Sequence, residues 1–422
     1  MTDWRWTVCV VGTGRVGLPL ALSFLEAGVS VVGVDRDARL RDQINAGEMP
    51  FGEPGYDELI ATRRLRVVED PAVVAQCRFV VVTVGTPLRA NIEADMRQVD
   101  GALRDLTPQL RAGQLVALRS TLAPRTTELV ARRIERATGL RVGVDLGVAC
   151  CPERLAEGHA KVELGVLPQV VGADDELSAR LGHELFAPIA PDVLATSTIN
   201  AEFLKLFTNV ERYVHFAVAN QFAMVADVHG ANIHEIRRMA NDRYPRNHIA
   251  SPGFSAGACL RKDFGMLAEW SPYVGIPTAA WRIHESMPTF LVQHMERRMP
   301  LLDKRIAVLG YSFKSGSDDM RDSLTPKLMR YIQRSCPLEL RVNDPHLPDP
   351  IDDPVHGSIP NHPIERCLDG VDGVFIATNH PQYHAALRRL AETRPDAWVA
   401  DLWNVGENDQ LFYRAGESAG TS

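Results

Sequence analysis

Cys259 is followed one helical turn later by Asp263, with Arg261 and Lys262 between them. A spacing of i, i+4 places a thiol and a carboxylate on the same helix face. Positive charge nearby stabilises a thiolate, the form of cysteine that attacks carbon. The segment Gly257-Ala258-Cys259-Leu260-Arg261-Lys262-Asp263 can therefore furnish a nucleophile and a base. Read alone, it fits a buried structural cysteine near a helix start equally well. Lys205 and Asn209 show the same i, i+4 spacing. An ammonium and an amide on one face can hold a developing oxyanion, although a solvated helix face explains an isolated pair more simply.

A second constellation lies near the N-terminus. Val11 leads into Gly12-Thr13-Gly14-Arg15-Val16-Gly17, a GxGxxG pattern between a strand-like run and a helix-like one. The first glycine permits the tight turn, the second lets backbone approach a pyrophosphate, and the third lets helix and strand pack closely. The helix N-terminus then offers its positive dipole end to phosphate. Asp35 ends the next strand-like run, eighteen residues after Gly17. There a carboxylate accepts hydrogen bonds from both ribose hydroxyls of NAD and repels the 2′-phosphate of NADP. Arg36 beside it weakens that preference a little. Arg15, Val16, Thr86 and Thr121 complete the expected cofactor set. FAD shares the fingerprint, and the other motifs favour NAD.

Elements that could position these groups follow from the apolar pattern. Residues 6–11, 29–34, 79–84 and 115–118 read as buried strands, with amphipathic helices at 18–26 and 126–138 between them. Gly28 stands where a helix-ending glycine belongs. Nearly all-apolar strands alternating with helices imply a parallel sheet covered on both faces. A long helix is expected over 201–228, a stretch free of Pro and Gly that Gly230 closes. Its length would be roughly 40 Å. After an irregular stretch at 244–257, residues 263–299 read as helical. Strands at 305–309, 338–342, 373–377 and 398–400, with a helix at 325–334, form a second alternating region. The expected fold is α/β, with two Rossmann-like doubly wound domains joined by a long central helix and helical region. The expected bounds are 1–197, 198–300 and 301–422.

Composition sets outer limits. The chain has 422 residues, 45% hydrophobic and 23% charged, with a formal net charge of −7. That balance argues against nucleic acid or a membrane surface as a non-specific partner, while a small anionic ligand remains compatible with a local Arg/Lys cluster. The seven cysteines are scattered and lack CxxC spacing, so neither a disulfide framework nor a metal site is expected. A charged stretch followed by a longer apolar one is absent near the N-terminus, and no apolar run nears the ~18 residues of a membrane span. The cytosol is the expected compartment.

Several motifs resemble one family in their order along the chain. Asn200-Ala201-Glu202-Phe203-Leu204-Lys205 with Asn209 resembles the central-helix motif of the UDP-glucose/GDP-mannose dehydrogenase family. The Cys259 segment resembles its nucleophile motif, and Arg119-Ser120-Thr121-Leu122-Ala123-Pro124 its Ser-Thr-x-x-Pro loop. Cys151-Pro152-Glu153-Arg154-Leu155-Ala156-Glu157-Gly158 resembles its Pro-Glu segment. Gly310-Tyr311-Ser312-Phe313-Lys314 and Asp319-Met320-Arg321-Asp322-Ser323 resemble its C-terminal signature. The resemblance implies a four-electron oxidation of a nucleotide sugar at C6, with NAD used twice and Cys259 carrying a thioester. It implies that Lys205 and Asn209 stabilise oxyanions and that Asp263 acts as base or orients water. Glu153 and Thr121 would position the hydrolytic water. Arg154, Lys205, Gly257, Lys314 and Arg321 would bind the sugar nucleotide, and Arg243 would reach a neighbouring subunit's site. A homodimer or higher homo-oligomer, built on the long helix, is implied as well.

Cys151-Pro152-Glu153-Arg154 and Asn379-His380 resemble members acting on UDP-N-acetylhexosamines such as UDP-N-acetylmannosamine. UDP-glucose and GDP-mannose 6-dehydrogenases are the alternatives. Asp401-Leu402-Trp403 and the loop at 251–257 depart from commoner family patterns. A 3-hydroxyacid-type dehydrogenase would share the NAD region and the Lys/Asn pair but needs neither Cys259 nor the segment at 314–323. A non-catalytic nucleotide-sugar-binding protein is the rival outside the enzymes. Surface-polysaccharide biosynthesis is the pathway class implied.

Overall fold

The valine-rich runs of the first half form β1 (Trp6–Val11), β2 (Val31–Val34), β3 (Arg66–Val68), β4 (Cys77–Val82), β5 (Leu115–Leu118), β6 (Gly147–Cys150), β7 (Gln169–Gly172) and β8 (Val193–Thr196). The structure is a computed structural model that describes residues 4–89, 93–255, 257–354 and 356–417, without the side chain of Ala258. The chain forms two compact units, Met1–Thr208 with Gly265–Ser271, and Asn209–Phe264 with Pro272–Ser422.

In the first unit the strands form one sheet in the order β3-β2-β1-β4-β5-β6-β7-β8. Alternation along β1 sends Val8 and Val10 into one core and Cys9 and Val11 into the other, so both faces are covered. The expectation of a wholly parallel sheet fails at one place: β7 runs antiparallel to β6, through Cys150↔Gly172. A parallel return needs a crossover long enough to carry the chain back along the sheet. The helix between these strands, Ala160–Leu164, has five residues, a length of about 7.5 Å. Beyond it, β8 is parallel to β7. The sheet order reverses between β1 and β4, which opens a crevice at the carboxyl ends of those strands.

The helix Gly17–Glu26 begins inside the glycine motif, and Thr126–Thr138 has the bounds its pattern implies. The long helix is Thr198–Val228, 31 residues. It starts earlier than the apolar pattern does, because the Asp174 carboxylate accepts from both the backbone N–H and the hydroxyl of Thr198. Gly230, at φ +66°, follows its end. The helical region expected at 263–299 is two helices, Gly257–Trp270 and Gly275–Arg298. Pro272 lies between them; it lacks an N–H and pushes Ser271 out of helical backbone.

In the second unit, β9 (Arg305–Leu309), β10 (Glu339–Asn343), β13 (Gly373–Ile376), β14 (Trp398–Ala400) and β15 (Phe412–Arg414) form a sheet ordered β10-β9-β13-β14-β15. A separate hairpin pairs β11 (Ile351–Asp353) with β12 (Gly357–Ile359). The edge strand β15 is antiparallel to β14, and the other pairs are parallel. Ala223, Met287 and Leu291 from the helices share a core with Ile306, Val308 and Phe375 from the sheet. The second part of the long helix, residues 257–264 and the helix Gly275–Arg298 thus fold with the C-terminal sheet, whereas residues 265–271 belong to the first unit. Here too the order reverses beside the first strand, between β9 and β13. The chain therefore holds two Rossmann-like α/β regions connected by a long helical region. Among the described residues no helix is long and apolar enough to cross a membrane.

Candidate functional site

At the first crevice, Gly12 adopts φ +91°, a backbone region that side chains disfavour. A Cβ on Gly17 would stand 1.9 Å from the Gly12 carbonyl oxygen, whereas one on Gly14 would meet nothing within 4 Å. The turn is thus closed on its protein side and open where a ligand would approach. The helix Gly17–Glu26 has no side-chain cap and no acidic residue in its first turn, so its positive end suits a pyrophosphate. Asp35 accepts from Thr13 N at 2.6 Å and Thr13 Oγ1 at 3.1 Å, which fixes its carboxylate against the glycine turn. Arg36 is paired with Asp105, and Arg15 with Glu157 at 2.6 Å. Val16 is exposed beside them. Thr86 Oγ1 donates to the Thr121 carbonyl at 3.0 Å, joining the turn after β4 to the loop after β5. These residues fit a nicotinamide dinucleotide.

Glu153 follows β6 in the same unit. Its Oε2 accepts from Arg119 Nε at 2.8 Å, and its Oε1 accepts from the backbone N–H groups of Arg154 and Leu155 at 2.7 and 2.8 Å. Arg119 is 1% exposed and also donates to Gln169 Oε1 at 2.9 Å. The Pro-Glu turn is therefore organised by an arginine to which the sequence reading gave no role. Its signal was a charged residue continuing the wholly apolar run 115–118. Arg154 itself donates to the Pro168 carbonyl. Glu202, in the central-helix motif, accepts from Arg125 N, Thr127 N and Thr127 Oγ1 at 2.6, 2.8 and 2.6 Å. Burial raises its pKa against the opposing effect of those bonds, so this carboxylate serves as a helix cap. Lys205 lies one turn before Asn209 on the long helix and is half-buried.

In the second unit, Asn209 Nδ2 donates to Asp263 Oδ2 at 2.5 Å. Asp263 is fully buried. Its other oxygen has no hydrogen-bond partner among the described residues and stands 3.6 Å from Lys262 Nζ. Cys259, one turn earlier on the same helix, is exposed. All seven cysteines are free thiols. Burial pushes Cys151 and Cys367 up to about 12 and Cys150 well above the usual thiol range. Those three stay protonated, and of the other exposed cysteines only Cys336 joins Cys259.

Gly257 ties the Cys259 helix to the loop beyond β9. Its N–H donates to the Asp322 carbonyl at 3.1 Å. At φ +85°, a Cβ there would stand 2.4 Å from the Phe313 ring. Arg261 Nη1 adds a 3.4 Å contact to Asp322 Oδ1. Lys314 and Arg321 belong to this loop, and Arg321 forks onto Asp319 with bonds of 2.6 to 3.0 Å. The fold thus gathers Asn209, Gly257, Cys259, Asp263, Lys314 and Arg321 in one unit. Arg243 lies in the same unit but is exposed, at φ +53°, with Asp242 at 3.4 Å.

Comparison with known proteins bears on the same regions. Residues 6–190, 199–287 and 307–408 match the NAD binding domain, central domain and UDP binding domain of the UDP-glucose/GDP-mannose dehydrogenase family. The UDP-N-acetyl-D-mannosamine dehydrogenase of Pyrococcus horikoshii is 33% identical over 388 residues, covering 89% of this chain and 90% of that one. The solved structure of UDP-D-ManNAc dehydrogenase from that organism superposes with a TM-score of 0.84 at 31% identity, over 92% of this chain and 93% of the other. A UDP-glucose dehydrogenase from Pyrobaculum islandicum gives 0.81 at 29% identity, over 90% and 92%. Its ordered domains, its dinucleotide turn and this extended similarity show that the chain belongs to the UDP-glucose/GDP-mannose dehydrogenase family.

Proposed function

We propose that this chain is an NAD-dependent dehydrogenase that oxidises the C6 hydroxymethyl group of a UDP-sugar to a carboxylate, with a UDP-N-acetylhexosamine such as UDP-N-acetylmannosamine as substrate. The observation that carries the proposal is an exposed thiol at Cys259, one turn from a buried Asp263 that Asn209 holds, in the same unit as Lys314 and Arg321. The reaction converts R–CH2OH, two NAD+ and one water into R–COO−, two NADH and three protons.

When bound, NAD supplies the hydride acceptor for each of the two oxidations. Gly12, Gly14, Arg15, Val16 and Gly17 hold its phosphates, and Asp35 its ribose. Thr86 and Thr121 line the same region. Because Arg36 is engaged by Asp105, Asp35 governs the 2′ position and NAD is preferred over NADP. The aldehyde from the first oxidation is attacked by the Cys259 sulfur, forming a C–S bond that retains it between turnovers of cofactor. Lys205 and Asn209 stabilise the resulting oxyanion. The second oxidation leaves a thioester. Water then adds at carbon, its proton taken by the Asp263 oxygen that carries no hydrogen bond among the described residues, and the C–S bond breaks to return the thiol. By resemblance to the family, Glu153, pinned by Arg119, and Thr121 are assigned to positioning that water. Arg154, Gly257, Lys314 and Arg321 serve the sugar nucleotide, and Arg243 a neighbouring subunit's site.

The preference for an N-acetylhexosamine is supported by the Pyrococcus relative, by Arg154 after Glu153, and by Asn379-His380. UDP-glucose is the second reading, supported by similarity to the Pyrobaculum enzyme. In this reading residues 1–197 bind NAD, 198–300 carry the nucleophile and self-association, and 301–422 bind the UDP-sugar. Val218, Phe222 and Val225 expose an apolar stripe on the long helix, which supports a homodimer. The cytosol, with its NAD pool and reduced thiols, is the compartment, and a surface polysaccharide is the destination of the product.

The test is NADH formation by the purified protein given NAD and a panel of UDP- and GDP-sugars. The proposal requires two NADH per sugar consumed, with UDP-N-acetylmannosamine preferred. One NADH per sugar removes the thioester route, and a preference for UDP-glucose establishes the second reading.

A further inference from the structure

The loop that carries Lys314 is held from three neighbouring strands. Residues 310–316 follow β9, Asp344 follows β10, and His380 lies beyond β13. The order β10-β9-β13 brings those carboxyl ends together at the second sheet reversal. Asp344 Oδ2 accepts from the backbone N–H groups of Tyr311 and Ser312 at 2.8 Å each, and from Ser312 Oγ at 2.9 Å. His380 Nε2 lies 3.0 Å from Ser312 Oγ and 3.3 Å from Asp344 Oδ2. Its Nδ1 accepts from Gly316 N–H at 3.3 Å. That acceptor role selects the tautomer with its proton on Nε2, directed at Ser312 and Asp344. Thr378 Oγ1 donates to the Ser312 carbonyl at 2.6 Å, and Ser315 Oγ to the Asn379 carbonyl at 2.8 Å.

Ser312, Asp344 and His380 are each no more than 1% exposed. Burial alone would raise the Asp344 pKa, but hydrogen bonds from His380 and the two backbone N–H groups outweigh it and hold it at about 2. The residue types are those of a serine hydrolase relay, but the arrangement is not. Serine and carboxylate share one ring nitrogen, the other nitrogen faces backbone, and none of the three reaches solvent. Their bonds end on the turn itself.

We propose that His380, acting with Asp344 through Ser312, is the positioning element of the UDP-sugar site, holding residues 310–316 in ligand-ready form so that Lys314 meets its ligand without an ordering cost. This rests on the reading of the second unit as the nucleotide-sugar site. The full chain is titrated calorimetrically with UDP and, separately, with NAD. His380→Leu is expected to weaken UDP binding at least about tenfold, the scale of a lost hydrogen bond to a charged group, and to leave NAD affinity unchanged. His380→Gln, which can donate from the same place, restores most of the loss. Ser312→Ala removes a single hydroxyl, serves if the leucine variant does not fold, and is expected to weaken UDP by roughly threefold or more. Variants that bind UDP like the wild type overturn the proposal. So does an equal loss for UDP and NAD, which marks a general loss of structure. A wild type that binds NAD but not UDP removes the nucleotide-site reading and the proposal with it.

Discussion

Replacing Arg119 with leucine tests how the Pro-Glu turn is held. The Arg119 side chain is 1% exposed and the Glu153 side chain 11% exposed, with their closest approach at 2.6 Å. The guanidinium also bonds Gln169 and lies 5.2 Å from the Phe186 ring centre. Leucine removes the countercharge while Glu153 keeps its two backbone N–H donors, so a carboxylate is left nearly buried and unpaired. Breaking a buried pair from one side costs about 3–5 kcal/mol. For a unit of this size each kcal/mol moves the melting temperature by roughly 2–4 °C. The expected fall is therefore about 6–20 °C. Circular dichroism melts of the wild type, Arg119→Leu, Glu153→Gln and the double variant provide the assay. Glutamine can still accept from Arg154 N and Leu155 N but carries no charge. The double variant should recover at least half of the loss, because the stranded charge, not the lost contacts, dominates. A melting temperature for Arg119→Leu within about 2 °C of wild type, or a double variant no better than the single, would refute the reasoning.

Three further outcomes follow from other parts of the molecule. His284 is buried, with Nε2 2.8 Å from the Tyr213 carbonyl and Nδ1 3.2 Å from Asn220 Nδ2. Burial lowers its pKa from 6.5 to about 4. The unfolded chain therefore binds the extra proton first: the penalty is absent above about pH 6.5, grows as pH falls toward 4, and reaches about 2 kcal/mol by pH 5. Urea melts at pH 7.5 and 5.0 should show that loss, and a stability unchanged between them contradicts it. Cys259→Ser should still bind NAD yet release no uronic acid; chromatography of the products that finds acid at the normal rate excludes the thioester. Phe222→Asp, in the exposed stripe of the long helix, should give a monomer by light scattering, and a persisting dimer moves the self-association surface elsewhere.

Much of the fold was legible because its signals are local. The bounds of β1, β5 and β9 and of the helix Thr126–Thr138 follow the apolar runs residue for residue. Two-sided burial forces such strands to be apolar throughout, and helical periodicity is written within a few turns. The glycine turn and Asp35 were legible for the same reason: the motif carries its own context within one strand-helix-strand unit. Errors came where a distant or short segment decided the outcome. The helix Thr198–Val228 begins at a cap supplied by Asp174, β7 meets β6 through an antiparallel pair that no local pattern marks, and Pro272 splits the last long helical stretch.

The site divides in the same way. Spacing of i, i+4 relates Cys259 to Asp263 and Lys205 to Asn209 within one helical turn, but it was the resemblance to the family, not the spacing, that singled them out. That Asn209 meets Asp263 was not written in either segment, because the two lie 54 residues apart and join only when two helices pack. Arg119 with Glu153, and Ser312 with Asp344 and His380, are likewise separated by 32 to 68 residues where their contacts are made. A buried charge reveals its purpose only through its partner. The sequence by itself determined the family motifs the chain carries and most of the strands and helices that bear them. The tertiary structure alone decided which polar groups are buried together, because the desolvation that makes such contacts strong exists only once distant segments have closed over them.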